Sequence, residues 1–140
     1  SLNKIIWAIT KKNPFKKKSS KSLKERMDYA KKINIKNKFI KVEFFESKIN
    51  SNKTIDLINY LKKKNYKNIF FIIGADNLVK FHKWHKWKNI LKKSRLIVFD
   101  RHGYKKKSLN SKTYISLSEK KVTFVEFNKV NISSSQLKKI

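Results

Sequence analysis

A chain of 140 residues with 39% hydrophobic and 13% aromatic content is long enough to bury a core as one globular domain, which excludes a disordered chain. The absence of cysteine rules out disulfides and thiolate metal sites, and with neither an apolar run of membrane-spanning length nor a signal-peptide pattern a cytoplasmic protein is expected. A formal charge of +28 ordinarily points to nucleic acid, but arginine occurs only at Arg26, Arg95 and Arg101 and the lysines are scattered through every segment, so the Lys-, Asn- and Ile-rich bias of an A/T-rich genome is the simpler account, with weak salt-sensitive nucleic-acid binding as a side effect.

Lys4 to Thr10 reads as a strand, because Ile5, Ile6, Trp7, Ala8 and Ile9 form the near-continuous apolar run of a strand covered on both faces of a parallel sheet. Asn13-Pro14 breaks it. Ser22 and Glu25 have the capping-box spacing, and Leu23, Met27, Ala30 and Ile33 recur at helical intervals, which predicts a helix from Leu23 to Ile33. Phe39 to Glu46 is a second strand. The loop Ser47 to Lys53 then leads to Thr54, read as the N-cap of a helix with Ile55, Ile58 and Leu61 on one face.

The rest of the chain is organised around Ile69-Phe70-Phe71-Ile72-Ile73, an apolar run that stops at one of only 2 glycines, Gly74, and is read as a strand buried on both faces. Asp76 opens the helix that follows. In a parallel α/β sheet ligands sit outside the carboxyl ends of the strands, so Gly74 to Asp76 lies where chemistry is expected. Trp84 and Trp87, three apart, have helical spacing and read equally well as core; His82 and His85 read as polar surface groups. Leu91 closes a short amphipathic helix and Arg95 to Phe99 is another buried-type strand. Asp100 to Lys121 reads as a long polar connection whose Lys105-Lys106-Lys107 run is solvated, and strand character returns from Val122 to Phe127. Near the end, Ser133, Ser134 and Ser135 stand at a helix start with Lys138 one turn on, which is either a phosphate-holding arrangement or a plain serine cap.

The run IIGADNLVKFHKWHKW resembles the signature segment of the bacterial nicotinate-nucleotide adenylyltransferases, a family of the nucleotidylyltransferase superfamily. WAITKKNPFK, Arg26, Asn52-Lys53-Thr54, Arg101-His102-Gly103-Tyr104 and Ile132-Ser133-Ser134-Ser135 match further family elements in order, so the resemblance covers essentially the whole chain. It implies an open, mostly parallel, Rossmann-like α/β fold that transfers AMP from ATP to nicotinate mononucleotide, forming deamido-NAD and pyrophosphate, with Mg²⁺ bridging the phosphates. By the same resemblance Lys16 and Arg26 serve the substrate phosphate, Thr54 faces the nicotinate end and Trp84 stacks on its ring. Gly74 and Asp76 contact nucleotide, and Ser133, Ser134, Ser135 and Lys138 hold ATP phosphates. Lys138 stands where the family has arginine, which loses the two-pronged grip on phosphate.

The superfamily's N-terminal GGSFDPxHxGH segment has no match among these residues, so the chain is expected to be a single partial domain over 1–140, a piece of a longer protein lacking its first strand and its histidine pair. No catalytic residue and no metal ligand is therefore assigned, and the fragment alone is expected to be inactive. The strands at residues 4–10 and 69–73 are expected to flank the position of that first strand, across a slot of roughly 10 Å, rather than to pair. Two alternatives stay open: a sibling adenylyltransferase acting on pantetheine phosphate or nicotinamide mononucleotide, and a basic, non-catalytic nucleic-acid-binding remnant. No specific nucleic acid and no membrane is expected as a partner.

Overall fold

The described residues form strands that pair only in parallel, in two separate sheets. The structure is a computed structural model and describes residues 3–11, 21–100, 103–117 and 121–125. Two compact units divide the chain, Ser1–Tyr60 and Leu61–Ile140.

In the first unit β1 (Ile5–Ala8) runs parallel to β2 (Ile40–Glu43), with Ile5 opposite Ile40 and Ala8 opposite Glu43. They are connected through α1 (Leu23–Ile33), which lies on the expected residues. Its start is fixed chemically: the Glu25 N–H donates to Ser22 Oγ at 3.1 Å, and the Ser22 hydroxyl donates to the Glu25 carboxylate at 3.2 Å. Such a cap contributes about 1 kcal/mol. Ala30 is the residue of α1 that becomes buried. Past β2 the strand expected to reach Glu46 stops early, because Phe45 turns inward and α2 (Glu46–Ile49) begins. Phe45 meets the Tyr60 ring edge-on at 5.9 Å, which docks α3 (Thr54–Lys63) together with buried Ile55 and Ile58. Thr54 is the first helical residue of α3 rather than the cap ahead of it. The Lys53 carbonyl takes the first amide bonds, from Asp56 and Leu57, while Ser51 Oγ accepts from the Lys53 N–H at 3.0 Å and donates to Asp56 at 2.6 Å.

The second unit holds β3 (Phe70–Gly74), β4 (Arg95–Phe99) and β5 (Val122–Val125) in the order β3-β4-β5, all parallel. Gly74 lies opposite Phe99, and Phe99 opposite Val125, so the three strands end level at their carboxyl ends. Central β4 is of buried type, with Leu96 and Val98 shielded. Edge strand β3 departs from the expected burial on both faces: Phe70 and Ile72 are 37% and 43% exposed, because in this sheet β3 has a neighbour on one side only. The crossover from β3 to β4 is α4 (Ala75–Lys80), a 3₁₀ turn at Phe81–Lys83 and α5 (Trp87–Lys93). Leu78, Phe81 and Ile90 from this crossover are fully buried. Lys121, just ahead of β5, donates to the Leu91 and Lys92 carbonyls at 2.7 and 3.3 Å and so caps the end of α5.

Between β4 and β5, where a polar connection is expected, the chain forms α6 (Lys105–Leu109) and α7 (Lys112–Ile115). Their inward residues are hydroxyls: Ser108 and Thr113 are fully buried and Ser111 nearly so. Ser108 donates to the Lys105 carbonyl at 2.7 Å and Ser111 to the Ser108 carbonyl at 2.6 Å, which lets polar side chains be buried without apolar periodicity. Gly103, at φ +71°, makes the turn into α6 in the left-handed region that favours glycine.

Candidate functional site

Of the candidate residues that the structure describes, Gly74 and Asp76 lie at the carboxyl end of β3. Gly74 ends β3 in extended conformation and stands as the residue before α4, so Asp76 falls in the first helical turn. Its carboxylate is half-buried, and Oδ1 is shielded with no hydrogen-bond partner among the described residues. A buried acceptor left this way is costly, by about 1–3 kcal/mol, unless a donor arrives from elsewhere. Asp100 follows directly on β4, where it is buried and donates its N–H to the Val125 carbonyl at 3.2 Å.

Trp84 does not share a helix with Trp87. It ends the 3₁₀ turn in extended conformation (φ −76°, ψ 144°), and Lys86 then adopts the left-handed region (φ 50°, ψ 40°) immediately before α5. That conformation costs a β-carbon-bearing residue roughly 1–2 kcal/mol, so the turn between the two tryptophans is held by its surroundings. The Trp84 indole lies 5.1 Å from the Phe81 ring at 31° and 5.8 Å from Phe71 at 65°, with Phe71 and Phe81 themselves 6.2 Å apart. Phe81 is fully buried, whereas Trp84 is only half-buried, so part of the indole rests on a rigid aromatic shelf and part remains accessible. His82 is not the plain surface group its position implied: it is half-buried, and its Nδ1 is shielded with no partner among the described residues. His85 is exposed.

In the first unit Arg26 projects from the first turn of α1 to the exit of β1, donating to the carbonyls of Thr10 at 2.6 Å and Lys11 at 2.8 Å. It lines a cleft of about 290 Å³ with Trp7, Ile9, Lys21 and Tyr29. Thr54 belongs to this unit as well, at the start of α3; Gly74, Asp76 and Trp84 belong to the other. Lys16, Ser133, Ser134, Ser135 and Lys138 lie outside the described residues. Glu46, whose carboxylate accepts from the Lys11 N–H, had no signal in the sequence beyond being one of few acids. Among the described residues no three His, Cys, Asp or Glu side chains gather into a group able to hold a metal ion.

The sequence pattern of the cytidylyltransferase-like family matches residues 1–140. A probable nicotinate-nucleotide adenylyltransferase of Pelagibacter ubique is 62% identical over 139 residues, covering 99% of this chain and 77% of that protein. Its counterpart in a Bradyrhizobium species is 32% identical over 123 residues, 86% of this chain and 64% of the relative. Among solved structures, the Plasmodium falciparum nicotinic acid mononucleotide adenylyltransferase complexed with APC superimposes with a TM-score of 0.67, covering 99% of this chain and 68% of that one. At 17% identity this last likeness speaks for the fold, an α/β nucleotidylyltransferase fold of Rossmann-like type.

Proposed function

The chain belongs to the cytidylyltransferase-like family, among its nicotinate-nucleotide adenylyltransferases, and from that premise we propose that the protein transfers AMP from ATP to nicotinate mononucleotide in the making of NAD. A phosphate oxygen of the mononucleotide attacks the α-phosphorus of ATP; the new P–O bond joins the two nucleotides as deamido-NAD. The bond to the β-phosphate breaks, and pyrophosphate leaves with the electron pair. Because the nucleophile is the substrate's own phosphate, the protein's part is positioning and neutralisation of charge. Mg²⁺ enters with ATP as its chelate, as part of the substrate. The working place proposed is the cytoplasm; among the described residues no helix is long and apolar enough to cross a membrane.

Trp84 offers the pyridine ring a flat face, and the shelf of Phe81 and Phe71 behind it means that little side-chain freedom is lost on stacking. This shelf is the observation that carries the reading. Thr54 opens α3 where backbone N–H groups favour an anion such as the nicotinate carboxylate. Lys16 and Arg26 serve the phosphate end of that substrate. On the nucleotide side, backbone at Gly74 approaches the ligand closely and Asp76 accepts a hydrogen bond from it, which answers the lack of a donor at its buried Oδ1. Ser133, Ser134, Ser135 and Lys138 receive the ATP phosphates.

The test is product formation: chromatography of a reaction of the full-length protein with Mg·ATP and nicotinate mononucleotide is expected to yield deamido-NAD and pyrophosphate in equal amounts, whereas residues 1–140 alone are expected to yield none. Transfer to pantetheine phosphate instead, or DNA binding that falls steeply with salt and no transfer at all, would replace the reading.

A further inference from the structure

Large apolar side chains left in water are spread over the described residues, but three of them fall within one short connection. Ile33 ends α1 at 53% exposed, Ile35 lies in the turn beyond it at 80%, and Phe39, at 39%, stands just before β2. One exposed apolar residue is ordinary; a group of them rimmed by polar side chains marks a contact surface. The connection is firmly bonded. Asn37 donates its N–H to the Asn34 carbonyl at 2.9 Å, and Ile40 to the Asn37 carbonyl at 3.2 Å. Asn34 Nδ2 donates to the Ala30 carbonyl at 2.8 Å, and the Phe39 N–H to Asn37 Oδ1 at 3.1 Å. The apolar side chains are thus carried by a closed turn at the amino end of β2.

Between Asp28 and Glu43 the chain has no acid. Lys31, Lys32, Lys36 and Lys38 are interspersed with the apolar residues, all exposed and none in an ion pair among the described residues. Lysine alone distinguishes no face of this molecule, since it occurs in every segment; the apolar trio does. The charge brings the protein to an anionic surface, and the trio determines which face enters it. A second copy of the chain carries the same +28 and is repelled. Nucleic acid offers phosphates but no apolar phase for two isoleucines, whereas an anionic bilayer offers both.

We propose that the turn between α1 and β2 docks on an anionic lipid surface. Ile33, Ile35 and Phe39 enter the boundary between headgroups and acyl chains, and the four lysines stay level with the phosphates. The expectation of no membrane partner rested on the want of a spanning run, which a peripheral contact does not need. Arg26 reaches the opposite, carboxyl end of β1, so docking leaves it uncovered. None of this depends on the adenylyltransferase reading.

Co-sedimentation of the full-length protein with vesicles is the test. Vesicles of phosphatidylcholine with phosphatidylglycerol are expected to carry the protein down at about 0.15 M salt, and phosphatidylcholine alone is not. Ile35→Ser should lower that partition by about tenfold at unchanged melting temperature, because it removes an aliphatic side chain from the boundary and no charge. The 140 residues hold no cysteine, so a polarity-sensitive fluorophore on Ile35→Cys reports the surroundings of that position, with Ile115→Cys, 74% exposed on α7, as the control. Emission should move to the blue at position 35 and stay fixed at 115. Vesicle binding that Ile35→Ser keeps in full, or a blue shift at both positions or at neither, would overturn the proposal. So would a probe at position 35 that responds to single-stranded RNA and not to vesicles, which would assign the turn to a polynucleotide.

Discussion

At the scale of single residues, Trp84 joins observed packing to a proposed role in recognition, and the two separate experimentally. The indole stands on Phe81 at 5.1 Å and on Phe71 at 5.8 Å, so removing it exposes a buried ring as well as deleting the face offered to a ligand. Trp84→Ala is expected to weaken nicotinate mononucleotide by about 1–3 kcal/mol, with ATP affected far less. Trp84→Phe keeps the shelf covered and an aromatic face in place, and should recover most of the lost stability and part of the affinity. Titration calorimetry with each substrate, alongside thermal melting, reads both. Equal weakening of the two substrates, tracking the fall in melting temperature, would show that Trp84 is core alone. Its spacing from Trp87 had suggested a shared helix. What the spacing could not reveal is the left-handed Lys86 between them, a conformation that no lysine advertises in sequence.

At the scale of elements, legibility followed the kind of chemistry that builds each one. Helix α1 was readable to the residue because a serine–glutamate cap and an apolar stripe point to the same start and end. Buried-type β4 was readable from its apolar run, whereas the same kind of run in β3 and at Trp7 of β1 marked strands that this sheet arrangement leaves partly exposed. Helices α6 and α7 were invisible, since their buried positions are Ser108, Ser111 and Thr113 rather than the apolar stripe that periodicity detects, with hydroxyl-to-carbonyl bonds at Ser108 and Ser111. Helix α5 depends on a partner distant in sequence: Lys121 donates to the Leu91 carbonyl at 2.7 Å. Lys121→Met keeps the aliphatic stem but removes the donor, and is expected to cost about 1 kcal/mol in urea unfolding. Amide exchange should rise in the last turn of α5 while α1 stays protected. An unchanged midpoint would mean that water serves the Leu91 and Lys92 carbonyls equally well.

At the scale of the whole molecule charge outweighs every other feature, with 37 lysines and arginines against 9 acids. Among the described residues Glu25 and Asp56 accept from serine hydroxyls near the starts of α1 and α3, Glu46 accepts from the Lys11 backbone, and Lys41 and Glu43 form an ion pair across 2.5 Å. The lysines therefore repel one another in the folded state, and salt screens that repulsion over about 10 Å at 0.1 M. The melting temperature is expected to rise by several degrees between about 0.02 and 0.3 M sodium chloride, the opposite of a protein held by surface ion pairs. The same charge draws phosphate-bearing substrates without selecting among them. On the proposed function selection falls instead to recognition of the acceptor's pyridine ring, which makes the substituent on that ring the sharpest probe of the account. The most direct test is kcat/KM with Mg·ATP and either nicotinate or nicotinamide mononucleotide, two acceptors that differ only in carboxylate against carboxamide. The account predicts a preference for the carboxylate of at least about tenfold, the scale of one charge-assisted contact. Equal use of both, or a preference for the amide, would contradict it.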